Sequence, residues 1–345
     1  MNGLGIPCSL TICNTERMKI LYAIQGTGNG HLSRARDIIP YLQKNNELDL
    51  LVSGTQADID LPYPVTYQLK GLSFIFGKKG GVDMWKTYLK TNSHRLQKEV
   101  KSLPIHKYDL VINDFEPVSA WACKIRDRAC IALSHQAAVL LPEVPQPKKK
   151  DAFGHFILKN YAPTSKQYGF HFKGYQDNIF TPVIRQDIRK APISNGDHYT
   201  VYLPSYSDDK ILKVLSRLKG VKWEVFSKHH RKAIVHRDIT IRPITNDAFI
   251  SSMASSRGIL CGAGFETPAE ALFMGKKLLV IPMKGQYEQQ CNAAALAQMG
   301  VPTLKALKGK FTEDIREWVD SGSKVEIQYP DLTAAIIAQL LEECV

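Results

Sequence analysis

The sequence predicts an α/β chain of two doubly wound, Rossmann-like domains that face a central cleft. Three observations carry this reading. Short apolar runs of strand length alternate with amphipathic stretches of helical period along the chain, the pattern of βαβ units around parallel sheets. Two glycine-rich turns, at 26–30 and 262–264, each follow an apolar run and open a helical stretch. A polar stretch with proline and glycine, 190–197, divides the series, as linkers between domains do.

The first series begins at Met18. Residues 20–24 (Ile-Leu-Tyr-Ala-Ile) form an unbroken apolar run, which predicts a parallel strand buried on both faces. After the turn, Leu32, Ala35, Ile38, Ile39 and Leu42 recur at helical spacing and make one apolar stripe. Further strands are predicted at 48–52, 110–112 and 130–133, and a hinge at 181–185 followed by 190–197. The second series has strands at 199–203, 223–226, 239–241, 258–261 and 277–281, with helices at 208–218, 248–255 and 286–299. Gly300 suits the stop of the last of these. The expected domains are 18–185 and 196–330, with a terminal helix, 331–345, returning to pack on the first. Doubly wound sheets bind ligands beyond the carboxyl ends of their strands, here inside the cleft.

At 345 residues, 44% hydrophobic and 23% charged, the chain has the length of about two domains and needs no disulfide or metal staple. No apolar run approaches the ~18 residues of a membrane span. Seven cysteines are scattered without a C-x-x-C pair, which reads as free thiols in a reducing, cytoplasmic compartment and provides no metal site. Residues 1–17 lack the charged start and apolar core of a signal peptide, so the folded part is expected to begin at Met18. A formal charge of +12 favours anionic partners: nucleic acid, anionic lipid or phosphorylated small molecules. Basic and aromatic residues do not combine into an RNA-binding signature, which disfavours nucleic acid.

The first turn, Gly26-Thr27-Gly28-Asn29-Gly30-His31, puts glycines where a backbone could approach a phosphate at a helix start. Its G-x-G-x-G pattern is not G-x-G-x-x-G, and the second strand ends in Ser53-Gly54 without an acidic ribose ligand, so a dinucleotide is disfavoured. His31 is either a solvated helix-start residue or a general base, since an imidazole titrates near neutrality. A base needs an orienting partner. Asp114, at the end of the third predicted strand, is the first choice and Glu116 the second; Asp114 could equally cap the helix that begins near Pro117.

The second turn runs Cys261-Gly262-Ala263-Gly264-Phe265-Glu266-Thr267-Pro268-Ala269-Glu270. Thr267 as N-cap, Pro268 at N1 and Glu270 at N3 would spell a capping box closed by Gly275. Capping alone does not call for Gly262 and Gly264. That turn leaves N–H groups open to a diphosphate, and a carboxylate in the first helical turn can accept two hydrogen bonds from ribose hydroxyls. Glu288 and Gln289 open the next helix, where they suit sugar hydroxyls or form a solvated polar turn.

Together these stretches resemble the GT-B nucleotide-sugar glycosyltransferases, specifically the group containing the peptidoglycan lipid-intermediate N-acetylglucosaminyltransferase. The resemblance rests on the first turn, on G-x-G-x-x-T-x-x-E-A-L-x-x-G-K from Gly262 to Lys276, and on P-x-x-x-Q-x-E-Q-x-x-N-A from Pro282 to Ala293. It implies that His31 is the acceptor-activating base and Asp114 its acidic partner. Gly262 and Gly264 would form the diphosphate turn, with Gly28 and Gly30 facing it and the helix near Thr267 taking up the leaving group's charge. Glu270 would hold the ribose, Glu288 and Gln289 the donor sugar, and the backbone at Ile244 the nucleobase. Leu203-Pro204-Ser205-Tyr206-Ser207 departs from the glycine-rich turn often found there. Retaining members carry two glutamates with seven residues between them; counting back from Glu270 reaches Gly262, which implies inversion.

The implied reaction is transfer of a sugar from a nucleotide diphosphate sugar, a uridine one, to a hydroxyl of a glycan or lipid-linked acceptor, without metal or cofactor. Asp58-Ile59-Asp60 matches the D-x-D of metal-dependent transferases of another fold but reads as a solvated loop. The stretch 70–86 mixes Phe74, Phe76 and Trp85 with lysines and glycines. It is either an ordinary loop or an interfacial patch for an anionic membrane at its inner face. Two rival functions remain open: a nucleotide-sugar 2-epimerase of the same architecture, and a non-catalytic binder of nucleotide sugar or nucleic acid.

Overall fold

Two parallel sheets, one of seven strands and one of six, organise the chain. The computed structural model describes residues 17–54, 61–72, 76–77, 81–82, 93–148 and 151–344. In chain order the first lobe begins with β1 (Lys19–Gln25), α1 (Asn29–Gln43), β2 (Glu47–Ser53), β3 (Tyr67–Leu69), β4 (Phe76–Gly77) and β5 (Gly81–Val82). It continues with α2 (Ser93–Ser102), β6 (Leu110–Asp114), α3 (Pro117–Ile125), β7 (Ile131–Ser134) and α4 (His135–Val139). Next come α5 (Ala152–Tyr161), β8 (Lys166–Phe170), β9 (Ile179–Phe180) and the short α6 (Gln186–Arg189). The second lobe runs β10 (His198–Tyr202), α7 (Asp208–Leu215), β11 (Lys222–Ser227), β12 (Ile234–His236), β13 (Ile239–Pro243) and α8 (Asn246–Ser255). It ends with β14 (Gly258–Gly262), α9 (Glu266–Phe273), β15 (Lys277–Ile281), α10 (Tyr287–Gln298) and α11 (Thr312–Asp320). A terminal helix, α12 (Thr333–Cys344), follows.

The strand orders locate the sites. The first sheet reads β3-β2-β1-β6-β7-β8-β9 and the second β12-β13-β11-β10-β14-β15. Only β12 runs antiparallel to its neighbour among the pairings within these two sheets. From β1 the chain winds outward through β2 and β3, then crosses to β6 on the other flank, so the order reverses between β1 and β6. The second sheet reverses between β10 and β14. Such points leave a crevice at the carboxyl ends of the strands, and each glycine turn leaves a strand that borders one.

The apolar runs do the packing their sequence requires. Ile20 through Ile24 are all fully buried, as a central strand covered on both faces must be. One continuous apolar cluster runs from Ile24, Leu32 and Ile38 through Phe170 and Phe172 to Phe265 and Ala269 of the other lobe. The rings of Phe172 and Phe265 lie 5.1 Å apart. Each such side chain contributes about 1.5–3 kcal/mol on burial, so the lobes meet over a packed seam. The 181–185 stretch, expected as part of the hinge, packs into that seam: Val183, Ile184 and Arg185 are buried, and the Gln186 N–H donates to Asp37 at 2.9 Å. Beyond the second lobe, Tyr329 donates to the Phe172 carbonyl at 3.0 Å and Tyr168 to Glu343 of α12 at 2.6 Å, which seats α12 on the first lobe. Among the described residues no helix is long and apolar enough to cross a membrane.

Candidate active site

The turn after β1 holds three glycines in different surroundings. A β-carbon on Gly26 would meet Val52 Cγ1 at 2.9 Å, because β2 runs alongside and accepts the Gly26 N–H at 2.6 Å. Gly28, the N-cap of α1, faces open space: a β-carbon there would touch nothing within 4 Å. On Gly30 it would lie 3.0 Å from Cγ of Glu266, which brings the two glycine turns together.

His31, in the first turn of α1, reaches across the switch point to Asp114 at the end of β6. Nδ1 lies 2.8 Å from Asp114 Oδ1, and the His31 side chain is 16% exposed. With Nδ1 as the donor, Nε2 becomes the acceptor. One helical turn further, the buried Arg34 donates to both Asp114 oxygens at 2.7 Å. Burial opposes the charge on Asp114, but Arg34 and then His31 outweigh it and hold the carboxyl below its ordinary value. Helix capping falls to Glu116 instead: its carboxylate accepts from the N–H groups of Val118 (2.7 Å) and Ser119 (2.6 Å).

The second turn differs from the expected capping box. Helix α9 begins at Glu266 with Phe265 at the cap position, and the Phe265 carbonyl accepts the first helical bond, from Ala269 at 3.1 Å. Thr267 therefore lies inside the first turn rather than at the N-cap. Pro268 is tolerated there because first-turn N–H groups need no helical partner. Glu270 is not a capping residue either: Arg185 claims both its oxygens, Nε to Oε1 at 2.6 Å and Nη2 to Oε2 at 3.1 Å.

Ala263 is buried, its carbonyl accepting from Asn292 at 3.1 Å and its N–H donating to Ile281 at 3.3 Å. Gly262 and Gly264 on either side are half-buried, and a β-carbon on Gly264 would meet nothing within 4 Å. At the start of α10, Glu288 accepts from Gln136 of the first lobe at 3.0 Å. Gln289 accepts from the Met283 N–H at 2.9 Å and donates its own N–H to the capping Gln286. Ile244, half-buried, follows β13 and directly precedes Thr245, the N-cap of α8. Asp58 and Asp60 and most of the 70–86 stretch lie outside the described residues, as do residues 1–16.

The sequence pattern of the family described as glycosyl transferase family 1 matches residues 18–319. The chain belongs to that family. No curated protein shows a significant match, but solved glycosyltransferase structures do. SnogD from Streptomyces nogalater is 12% identical with a TM-score of 0.52, over 94% of this chain and 100% of that one. Phytolacca americana UGT2, seen with UDP-2-fluoro-glucose and pterostilbene, is 12% identical with a TM-score of 0.56, over 95% and 99%. Acinetobacter baumannii MurG is 13% identical with a TM-score of 0.52, over 89% and 91%. The structural likeness shows the fold, GT-B, and the family shows a glycosyltransferase.

In this glycosyltransferase the lobes are joined by polar side chains that sequence reasoning passed over. Arg34 pairs with Glu266 as well as with Asp114. His135 faces the Phe170 carbonyl at 2.8 Å and Asn292 at 2.7 Å, and stacks on Phe265 with centroids 3.9 Å apart. Burial pushes the Glu266 carboxyl up to about 7, against the pull of Arg34. The signal for Arg34 was its place three residues after His31, which puts both on one helical face. Glu266 occupied an unspecified position of a recognised motif and carried no such signal.

Proposed function

We propose that this glycosyltransferase moves a sugar from a UDP-linked donor to a hydroxyl of a glycan or lipid-linked acceptor, with inversion and without a metal. The observation that carries the reading is the His31–Asp114 pair, 2.8 Å apart, opposite the glycine turn that opens α9. His31 Nε2 takes the proton of the acceptor hydroxyl as its oxygen attacks the anomeric carbon from the face opposite the diphosphate. Asp114 fixes the tautomer and steadies the imidazolium. The bond to the diphosphate breaks with its electron pair, and the N–H groups and dipole at the start of α9 offset the charge that leaves.

Glu270 is assigned to the ribose, Glu288 and Gln289 to the donor sugar, and the backbone at Ile244 to the base. Arg185 occupies one direction at each Glu270 oxygen, and a carboxylate oxygen accepts more than one hydrogen bond. The uridine assignment draws support from similar structures: UGT2 is complexed with UDP-2-fluoro-glucose and Arabidopsis UGT89C1 with UDP.

The test is a thermal-shift titration with UDP followed by assay of UDP release from UDP-sugars with and without hydroxyl acceptors. A nucleotide at 100 times its Kd adds about 2.7 kcal/mol to stability. Release that requires an acceptor, and falls about 10²–10⁴-fold in His31→Ala with UDP binding kept, supports transfer. Conversion of the donor to an epimer without acceptor, or an equally active His31→Ala, refutes it.

A further inference from the structure

Glu266 holds an unusual place. It is the first residue of α9, it follows the Gly262–Gly264 turn, and its Cγ stands against Gly30 of the opposite turn. Its carboxylate bonds to Arg34, which is itself 2% exposed and already doubly bonded to Asp114. Arg34 has further capacity, since its buried Nε has no hydrogen-bond partner among the described residues. One guanidinium thus serves two carboxylates from different lobes at the point where both glycine turns converge. A diphosphate placed there would be a third anion on the same cation.

We propose that Glu266 is a displaceable internal anion: a nucleoside diphosphate entering between the glycine turns takes its place on Arg34, and Glu266 accepts a proton from solvent as it withdraws. This rests on the donor reading given above. Arg34 thereby becomes a binding residue for the diphosphate while keeping Asp114 in line behind His31. The charge count around Glu266 favours the exchange. Arg34 and His31 of α1 face it with Arg185 from the segment before α6, against Asp114 of β6, Glu270 of its own helix and Tyr22 of β1. Burial has already brought the carboxyl close to neutrality, so taking up the proton costs little near pH 7.

The probe is UDP, titrated calorimetrically near pH 7 in two buffers of different ionisation enthalpy, and again between pH 6 and 8.5. The protein should take up about half a proton more than Glu266→Gln does at pH 7; comparing the two proteins cancels the titration of UDP itself. Glu266→Gln should bind UDP more tightly, ~10-fold at pH 8, and lose the weakening that the unaltered protein shows as pH rises. In the Glu266→Gln background, Arg34→Lys should weaken UDP ~10-fold, since a point charge cannot span Asp114 and a phosphate as a fork does. Equal proton uptake in both proteins, or weaker binding by Glu266→Gln, overturns the proposal and leaves the donor reading standing. UDP that binds neither protein overturns the donor reading, and the proposal with it.

Discussion

Arg185 and Glu270 form a two-point ion pair, with side chains 10% and 3% exposed, and a third bond runs from Arg185 to Asn246 at 2.8 Å. The segment entering α6 is thereby fixed to helix α9. Removing one partner of such a pair strands a buried charge. Arg185→Met is expected to cost about 3–5 kcal/mol of stability, and Arg185→Met with Glu270→Leu to recover most of it. Urea denaturation of the single and double variants measures both. A single variant as stable as the parent contradicts the pairing.

On the proposed mechanism Asp114 acts through His31, 2.8 Å away, so its loss should appear in turnover and not as weaker binding. Asp114→Asn keeps the shape but can present its amide to Nδ1, which favours the tautomer with no acceptor at Nε2. The expected fall in kcat is on the order of 10²–10⁴-fold, with no loss of UDP affinity. Steady-state kinetics beside UDP calorimetry separate the two quantities. A KM effect with kcat preserved would move the base elsewhere.

What the sequence disclosed, and what it hid, follows from the kind of signal each residue carried. Strand β15 was legible at its observed limits, 277–281, because it is an apolar run between breakers. The Lys166-Gln167-Tyr168-Gly169-Phe170 strand was not, since its outer half is polar and exposed and a glycine interrupts it. Gly169 is needed there for a different reason: a β-carbon would meet the backbone N of Ala138 at 3.0 Å. His31 and Asp114 were legible because one opens the helix after an apolar strand and the other ends an apolar strand, both at the carboxyl side of the sheet. The bonds of Arg34, Arg185 and His135 across the lobes were hidden, because partners 85 or more positions away in the chain leave no local pattern.

His171 offers a test of packing alone. It is fully buried, and neither ring nitrogen has a hydrogen-bond partner among the described residues. Its neighbours are the rings of His135 at 5.3 Å, Phe172 at 5.3 Å and Tyr175 at 5.4 Å. A buried polar group without a partner carries its full desolvation cost. His171→Phe is therefore expected to be neutral or to stabilise by about 1 kcal/mol, unlike most core substitutions. Chemical denaturation decides. A loss above about 2 kcal/mol would mean that the imidazole has a partner in solution.

His135 makes the seam between the lobes sensitive to acid. Burial lowers its pKa to about 4, although the Phe170 carbonyl and Asn292 both favour the charged ring. The unfolded chain protonates this ring near 6.5 while the folded chain resists until about 4. Stability is thus complete above pH 6.5 and falls as pH drops through that window, by about 3 kcal/mol at most for this group. Glu266 works in the opposite sense: a carboxyl raised to about 7 on folding stabilises at low pH and loses that contribution as pH rises toward 7. The net pH profile of the protein mixes the two, so the informative measurement is a difference. Unfolding free energies from pH 7.5 to 4.5, compared between the parent and His135→Asn, should converge as pH falls, because the parent alone carries the imidazole penalty. Parallel profiles would show that His135 titrates in the folded protein as it does in the unfolded chain.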